Sequence, residues 1–499
     1  MLLKNPIKQL AGQTAVYGLS SVIGRFLNYL LVPLHVAIFQ PAAYGVVTEL
    51  YAYVAFLVII LTYGMETAYF RFLNSSDNKS QNAFRTAFTS LLFTTTLFLF
   101  ISILFRQPIA DWILYPGNPE YVLWFAIIIG FDALSSLPMA KLRAQNKPFR
   151  FAMVNLISIG IIIFLNLFFL LYCKPLVDKG NGNAITDLFY NPQIGVGYIF
   201  IANLVGSTVK IILLLPGILK PGGVFDYKLL KTMLVYALPL MIFGLAGIVN
   251  ETFDRILLRR LLSGLKGDEY AQTQVGIYGA NYKLAMLITI FIQAFRYAFE
   301  PFLFAHEKHK NSKITYAYIM NVFAGVVGIL FLVVMLYIDL FKQIILPNPE
   351  YWPGLKVVPI LLLANIFLGL IYNLGIWFKL SDNTRKGMYI AIFGAIITIV
   401  LNYIFIPEYE YMASAYTTLI AYFSMAVVSF LLGQYYYNIP YNVVRVLGFI
   451  IFPVLIYWGL NNLEIENNVI KYALHSVILL TYSGVVYYLE FKRDPLRVE

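Results

Sequence analysis

About 14 stretches of this chain are apolar and long enough to cross a lipid bilayer, and no other feature limits its fold as strongly. The hydrocarbon core is about 30 Å thick, so a crossing helix needs about 20 mostly apolar residues. The chain has 499 residues, of which 60% are hydrophobic and 12% charged. Soluble domains are typically about 25% charged. The sequence therefore predicts an all-α polytopic membrane protein.

The predicted spans are separated by short loops, which leave no room for a sizeable soluble domain. They lie near residues 12–38, 46–70, 86–105, 121–140, 151–173, 194–217, 234–258, 276–304, 314–338, 357–378, 387–406, 411–433, 442–460 and 469–489. Cys173 is the single cysteine, so no intrachain disulfide can form. The first 18 residues lack a compact apolar segment with a small-residue cleavage site, and they are interpreted as a lead into the first span.

The net charge of +11 is distributed as in a membrane protein and not as in a nucleic-acid-binding protein. With the N-terminus inside, alternate loops are rich in Lys and Arg, which is the positive-inside pattern. Both termini are therefore predicted to be cytoplasmic, and no polyanionic partner is needed to explain the charge. The loop that holds Arg259, Arg260 and Lys266 is an exception, because it falls on the predicted outer side.

Two sets of weak sequence matches indicate an internal repeat, in which the second copy is shifted by six spans. Tyr44-Gly45 and Glu66 match Tyr278-Gly279 and Glu300 at the same spacing. The further matches are Leu50 with Leu284, Tyr63 with Tyr297, Phe70 with Phe304 and, at a slightly longer offset, Lys141, Leu142, Asn146 and Asn166 with Lys379, Leu380, Asn383 and Asn402. Parallel repeats are a known transporter plan with substrate bound between the halves, although similar apolar helices can also match by chance.

The repeat predicts two six-helix bundles and an appendage. The first bundle would comprise residues 1–219 and the second residues 220–437. Residues 438–499 would add two further transmembrane helices and a cytoplasmic tail.

Ten charged residues fall deep within predicted spans. The basic residues are Arg25, Lys210, Arg255, Lys283 and Arg296, and the acidic residues are Glu66, Asp132, Glu251, Asp254 and Glu300. A charge at the bilayer centre costs about 2.5–3.5 kcal/mol on insertion scales, so such residues face a bundle interior or a watery cavity. Because the two signs balance, internal ion pairing is the alternative to a functional cavity.

Arg25 is the strongest candidate for a functional charge. It lies in mid-span between apolar neighbours, and Asn28 shares its helical face. A guanidinium offers a bidentate fork to phosphate oxygens, so a cavity of this kind would attract an anionic head group. A structural ion pair is the other interpretation of Arg25.

The acidic candidates are suited to ion coupling or gating. Asn250 and Glu251 can share a face with Asp254 next to Arg255, and this cluster could bind a cation or a proton or solvate the outer helix end. Asp132 is either a proton-sensitive group or a paired structural carboxylate.

The charged residues of the eighth predicted span, and Glu66 of the second, also have more than one interpretation. Arg296 and Glu300 have i, i+4 spacing and could pair with each other, and Lys283 lies on the same span. The positions of Glu66 and Glu300 near the cytoplasmic ends favour gating or salt bridges.

Motifs of the common enzyme classes are absent from the chain. It has no Walker A sequence, no HExxH, no CxxC and no GxSxG. No cofactor and no metal site are predicted, and the chain is not expected to be an enzyme. A membrane-embedded glycosyl-transferring enzyme stays open as a third possibility.

Six segments of the chain carry a family resemblance, namely GMETAYFRF (64–72), DALSSLPMAKLRAQNKP (132–148), YALPLMIFGLAGIVNETFDRILL (236–258), VGIYGANYKLA (275–285), QAFRYAFEPFLFA (293–305) and LNYIFIP (401–407). They resemble the bacterial polysaccharide (O-antigen type) flippases of the multidrug/oligosaccharidyl-lipid/polysaccharide exporter superfamily. The likeness extends over most of residues 10–435 and preserves the order of the segments.

This resemblance implies a MATE-like fold, with two six-helix bundles and two extra helices around a cavity of alternating access. It implies that an undecaprenyl-pyrophosphate-linked oligosaccharide moves to the outer leaflet of the bacterial inner membrane, with ion coupling. Arg25 would receive the pyrophosphate, and Lys210, Lys283 and Arg296 are further candidates. Membrane lipids, a polysaccharide polymerase and a chain-length regulator are the implied partners. A cation-coupled small-molecule antiporter of the drug-exporter type is the alternative, and the five buried basic groups speak against it.

Overall fold

A computed structural model of the chain describes residues 23–24, 26–73, 79–219, 222–307, 311–380, 384–462 and 466–492. Over these ranges the regular structure is helical, without a β-strand. Twelve helical stretches of the described chain are long and apolar enough to cross a membrane. The prediction of an all-α polytopic membrane protein is therefore confirmed.

The chain forms two compact units, Met1–Thr273 and Gln274–Glu499. In the first unit the helices are α1 (Leu31–Ile38), α2 (Pro41–Thr62), α3 (Met65–Leu73), α4 (Lys79–Leu104), α5 (Arg106–Trp112), α6 (Pro119–Ala144), α7 (Pro148–Leu167), α8 (Lys174–Asp178), α9 (Ala184–Phe189), α10 (Gly197–Leu219) and α11 (Tyr227–Lys266). Helix α12 (Asp268–His306) begins at the end of this unit. A π-helical segment, Phe168–Cys173, extends α7, and a 3₁₀ turn covers Pro192–Ile194.

The second unit contains the rest of α12 and seven further helices. These are α13 (Ser312–Leu336), α14 (Ile338–Ile345), α15 (Val358–Leu374), α16 (Ile376–Leu380), α17 (Thr384–Tyr436), α18 (Val443–Asn461) and α19 (Asn468–Tyr487). A 3₁₀ segment, Pro349–Val357, leads into α15, and a π-helical turn, Tyr488–Lys492, follows α19. The predicted bundle boundaries after residues 219 and 437 stay predictions.

Two features explain why the described part of the structure has 12 long apolar helical stretches where the sequence predicts 14 spans. The stretch Arg385–Tyr436 is interrupted at Glu410, whose φ of 52° and ψ of −135° are not helical. This break separates the predicted spans 387–406 and 411–433. The predicted first span corresponds to a shorter apolar helix, Phe26–Ile38, and most of the residues before it lie outside the described chain.

Proline residues mark where several of the long helices begin. Pro41, Pro119 and Pro148 occupy the first turns of α2, α6 and α7. Proline suits this position because its fixed φ is already helical and its missing N–H would have no intrahelical acceptor.

The core of the first unit relies on small residues at helix contacts. Helix α6 packs against α2, α4 and α10, and α11 packs along α2 and α3. Between α2 and α3 the chain passes Gly64, whose φ is +72° and where a Cβ would lie 2.6 Å from the carbonyl oxygen of Ala237. Glycine is needed here because only it combines positive φ with so close an approach of α11.

The second unit has a comparable close contact where α13 meets α18 and α19. Tyr482 donates a hydrogen bond to the carbonyl oxygen of Phe449 at 2.8 Å, directly over Gly328. A Cβ at Gly328 would overlap both of these oxygens.

Replacing Gly328 with alanine should lower the free energy of unfolding by about 1–3 kcal/mol, the usual cost of overpacking. Gly448→Ala on α18 is the matched control, since no atom lies within 4 Å of its added Cβ. We expect the control to be neutral or slightly stabilising, because alanine is the better helix former. Thermal unfolding of the two purified variants measures the difference, and equal unfolding temperatures would contradict the packing described here.

Two pairs of residues that the predicted repeat relates are buried in the structure. Asn166 and Asn402 are both buried, and each donates from Nδ2 to the carbonyl oxygen four residues earlier at 2.8 Å. Tyr44 and Tyr278 are likewise both buried. The internal repeat itself stays a prediction.

Candidate functional site

In the first unit, a serine and a lysine on α10 face an aspartate on α6. Ser207 donates to Asp132 Oδ1 at 3.2 Å, and Lys210 Nζ lies 3.7 Å from the same oxygen. The side chains of Lys210 and Asp132 keep 24% and 32% of their exposure. A distance of 3.7 Å without a hydrogen bond makes this a loose pair, so the Lys210 ammonium can still meet an anion.

Glu66 on α3 forms an ion pair with Arg143 on α6. The Arg143 guanidinium also lies 5.3 Å from the centre of the Phe70 ring, within the range of a cation–π contact. The pair connects two helices at the predicted cytoplasmic side, as the salt-bridge interpretation of Glu66 expected. A gating role for Glu66 stays a prediction.

The polar run on α11 is divided between two faces of the helix. Asp254 and Arg255 are buried, with Arg255 Nη1 3.2 Å from Asp254 Oδ1. Asn250 is buried one turn before Asp254. Glu251, in contrast, has an exposed side chain, and only its carbonyl oxygen accepts from Arg255. The structure therefore separates Glu251 from Asp254, which sequence spacing had allowed to share a face.

A buried network that the sequence analysis did not find lies at the predicted outer ends of α2 and α11. Tyr115 donates to Glu49 Oε2 at 2.5 Å, and Arg259 Nε lies 3.5 Å from the same oxygen. Arg259 Nη1 donates to Asp268 Oδ1 at 2.8 Å and to Ser263 Oγ at 2.7 Å. The side chains of Glu49 and Arg259 are 1% and 0% exposed.

This network corrects one interpretation of the sequence, in which Arg259 lies in a loop that breaks the positive-inside pattern. Arg259 instead belongs to α11, and two carboxylates compensate its charge inside the protein. Since the pattern concerns charges of the loops, a buried and paired arginine does not contradict the predicted topology. The basic residues on the predicted outer side, which stood out as an exception to this pattern, were the one feature of the sequence that could have indicated the network.

The hydroxyl of Tyr115 lies outside the membrane-spanning segments and is strongly perturbed. Burial, and then the negative charge of Glu49, raise the pKa of Tyr115 well above its ordinary value of 10.0. The hydroxyl consequently keeps its proton and acts as a donor to Glu49 at all physiological pH values.

The candidate residues not yet described are Arg25, Asn28, Lys283, Arg296 and Glu300. Arg296 lies half-buried on α12, with its guanidinium 5.0 Å from the centre of the Tyr372 ring. Lys283 is half-buried on α12, and Asn28 is exposed. Arg25 and the side chain of Glu300 lie outside the described residues.

The second unit contains an apolar groove between α18 and α19, with a volume of about 680 Å³. Its walls include Phe449, Phe452 and Leu455. Arg445 lies at the predicted cytoplasmic end of the groove, with Nη1 3.3 Å from Oε1 of the buried Glu490. The groove therefore combines an extended apolar wall with one cationic end.

A second charged cluster of this unit ties α14 to α19. Lys342 and Lys471 each donate to Asp339 at 2.6 Å. Although partial burial opposes ionisation, hydrogen bonds from the two ammonium groups lower the pKa of Asp339 below its ordinary value of 3.8. The contribution of Asp339 to stability is therefore complete above pH 3.8 and is lost as pH falls further.

Replacing Asp339 with asparagine should lower the unfolding temperature at neutral pH, and the difference from the unchanged protein should shrink once the pH falls below 3.8. Glu269→Gln, at an exposed carboxylate of α12, is the control and should show no such convergence. Unfolding temperatures measured from pH 7 to pH 3 check this. A constant difference would show that the ion pair contributes nothing.

In the described part of the chain, no three His, Cys, Asp or Glu side chains are placed so that they could hold a metal ion together. The helical spans of the described chain define a multi-pass membrane protein.

A sequence profile described as "Polysaccharide biosynthesis protein" matches residues 10–305, more than half of the chain. The chain belongs to this family. A search of curated proteins gave no match.

Solved structures confirm the fold. A structure of the lipid II flippase MurJ, in an inward closed conformation, aligns with a TM-score of 0.71 at 14% identity, covering 96% of this chain and 99% of the other. An inward-facing multidrug resistance MATE family transporter of the MOP superfamily aligns with a TM-score of 0.64 at 15% identity, covering 85% and 94%. A MOP superfamily transporter from Pyrococcus furiosus gives a TM-score of 0.53 at 14% identity, covering 88% and 96%.

Proposed function

We propose that this protein is a flippase that moves an undecaprenyl-pyrophosphate-linked oligosaccharide from the cytoplasmic to the outer leaflet by alternating access. The family match over residues 10–305 is the observation that carries the proposal. The likeness of the whole chain to the fold of a lipid II flippase supports it. We also propose the bacterial inner membrane as its location, with both termini cytoplasmic.

The groove between α18 and α19 suits the transport of a lipid-linked sugar. Sugars cannot cross hydrocarbon unaided, whereas a polyprenyl tail can stay in an apolar environment throughout. The groove offers apolar walls to the tail.

Basic groups within the spans would hold the pyrophosphate during the crossing. We assign this role to Arg25 first, together with Asn28, and then to Lys210, Lys283 and Arg296. Lys210 is the best supported by geometry, because its pairing with Asp132 is loose and both side chains retain exposure.

Ion coupling is a separate part of the proposal. Asp132, Glu66, Glu251, Asp254, Arg255 and Glu300 stay candidates for coupling or gating. We further propose a polysaccharide polymerase and a chain-length regulator as partners that act on the flipped product.

Ligand-dependent stabilisation tests the substrate class. Undecaprenyl pyrophosphate should raise the unfolding temperature of the purified protein, whereas undecaprenol, with the same tail and no phosphate, should not. Lys210→Ala should weaken the affinity for undecaprenyl pyrophosphate about tenfold or more, because a charge-assisted hydrogen bond contributes about 1.5–3 kcal/mol and 1.4 kcal/mol corresponds to a factor of ten in the dissociation constant. The stabilisation should then require a correspondingly higher lipid concentration. Equal stabilisation by both lipids, or stabilisation by a cationic drug alone, would contradict the proposal and favour the small-molecule antiporter.

A further inference from the structure

Glu49 is a buried carboxylate, and only one of its two oxygens has a hydrogen-bond donor in the described structure. Its Oε2 accepts from Tyr115 and faces Arg259, whereas its Oε1 is buried without a hydrogen-bond partner in the described structure. A buried ionised oxygen without a partner is costly, and the cost disappears when the oxygen carries a proton. This geometry suits a carboxyl group that exchanges a proton.

The charged and titratable groups around Glu49 come from four elements. Tyr53 lies on the same helix, one turn further, and Tyr115 follows α5. Arg259 and Arg260 lie on α11, and Asp268 opens α12. Two positive groups thus face two carboxylates, and the cluster is balanced when Glu49 is ionised.

The cluster also accommodates a protonated Glu49. Arg259 makes its shorter contact with Asp268, at 2.8 Å, and its longer contact with Glu49, at 3.5 Å. If Glu49 takes up a proton, the buried guanidinium keeps a carboxylate partner, so no isolated charge is created. Asp268 is 64% exposed, and it connects the buried cluster to water at the predicted outer side.

Protonation would act on a contact between two long helices. Glu49 belongs to α2 in the predicted first bundle, and Arg259 belongs to α11 in the predicted second bundle. Ionised Glu49 attracts Arg259 across this contact, whereas the neutral acid does not attract it by charge. Proton uptake would therefore loosen the outer ends of α2 and α11 from each other.

We propose that Glu49 is the proton-binding site that couples transport to the proton gradient, with the proton arriving from the outer side and binding at Oε1. This inference rests on the proposed function. It differs from the sequence-based coupling candidates Asp132 and Glu251, because their side chains are partly or fully exposed, whereas that of Glu49 is buried.

Infrared difference spectroscopy tests proton binding without any transport. On acidification the protein should show the C=O band of a protonated buried carboxyl group, and Glu49→Gln should lose this band. Asp339→Asn, at an ion-paired carboxylate of the second unit, is the control that should keep it. Tyr115→Phe keeps all charges but removes a hydrogen bond to the ionised form, so the midpoint of the band should move to higher pH. A band unchanged in Glu49→Gln would overturn the assignment.

A flipping assay in proteoliposomes tests the coupling. An acidic outer compartment should accelerate flipping by the unchanged protein and by Asp339→Asn, whereas Glu49→Gln should lose the whole gradient-dependent acceleration. Flipping by Glu49→Gln that still responds to the gradient would overturn the coupling role and leave the flippase proposal intact. A Glu49-dependent infrared band in a protein that flips no lipid would support the proton site and contradict the proposed function instead.

Discussion

Replacing Arg259 with methionine should lower the free energy of unfolding by about 3–5 kcal/mol, the usual cost of removing one partner of a buried ion pair. Methionine fills a similar volume but leaves Glu49 buried with Tyr115 as its hydrogen-bond donor. The expected loss is a large fraction of the total, since domains are typically stable by only about 5–15 kcal/mol.

Two further variants test why Arg259→Met loses stability: a control at the neighbouring arginine and a double variant that should restore stability. Arg260→Met changes the neighbouring arginine, which is half-buried and donates to the carbonyl oxygen of Trp112, and it should cost only about 0.5–1.5 kcal/mol. Adding Glu49→Gln to Arg259→Met should restore much of the lost stability, because the uncompensated charge is gone. Denaturant unfolding of the single and double variants in detergent measures these differences. Additive losses in the double variant would show that Glu49 and Arg259 do not interact.

Replacing Arg25 with alanine should reduce flipping about 10- to 100-fold, because charge-assisted hydrogen bonds to a phosphate contribute about 1.5–3 kcal/mol. In the sequence, this arginine lies in the middle of an apolar span, where a charged side chain is expected to be functional. Arg25→Lys should keep part of the activity, since an ammonium attracts phosphate but cannot bind it with a bidentate fork.

Arg150→Ala is the matched control for this experiment. Arg150 is exposed in the first turn of α7 at the predicted cytoplasmic side, and its loss should leave flipping within twofold. The rate of flipping in proteoliposomes, normalised to the amount of folded protein, provides the comparison. Full activity of Arg25→Ala would remove Arg25 from the proposed pyrophosphate site.

The fold could be predicted because it depends on composition along the chain. Apolar stretches of about 20 residues are readable one segment at a time, and each span depends little on its neighbours. Even the break at Glu410 separates two spans that hydropathy alone had separated.

The charge pairs were less predictable, because they depend on which helices lie side by side. Helical spacing put Glu251 and Asp254 on one face, yet burial differs completely between them. The partners Glu49, Tyr115 and Arg259 are far apart in the chain, and the packing of α2 against α11 brings Glu49 and Arg259 together. The hydrogen bond between His35 and Asn166, 131 residues apart, is a further case.

Translocation in proteoliposomes tests the central claim most directly. A labelled polyprenyl-pyrophosphate oligosaccharide would be placed in the inner leaflet, and an impermeant lectin would report its arrival in the outer leaflet. We predict that vesicles with the protein expose the glycan much faster than protein-free vesicles, and that a polyprenyl-linked glycan without phosphates is not moved. Equal rates with and without the protein, for a donor lipid that carries the correct glycan, would contradict the account.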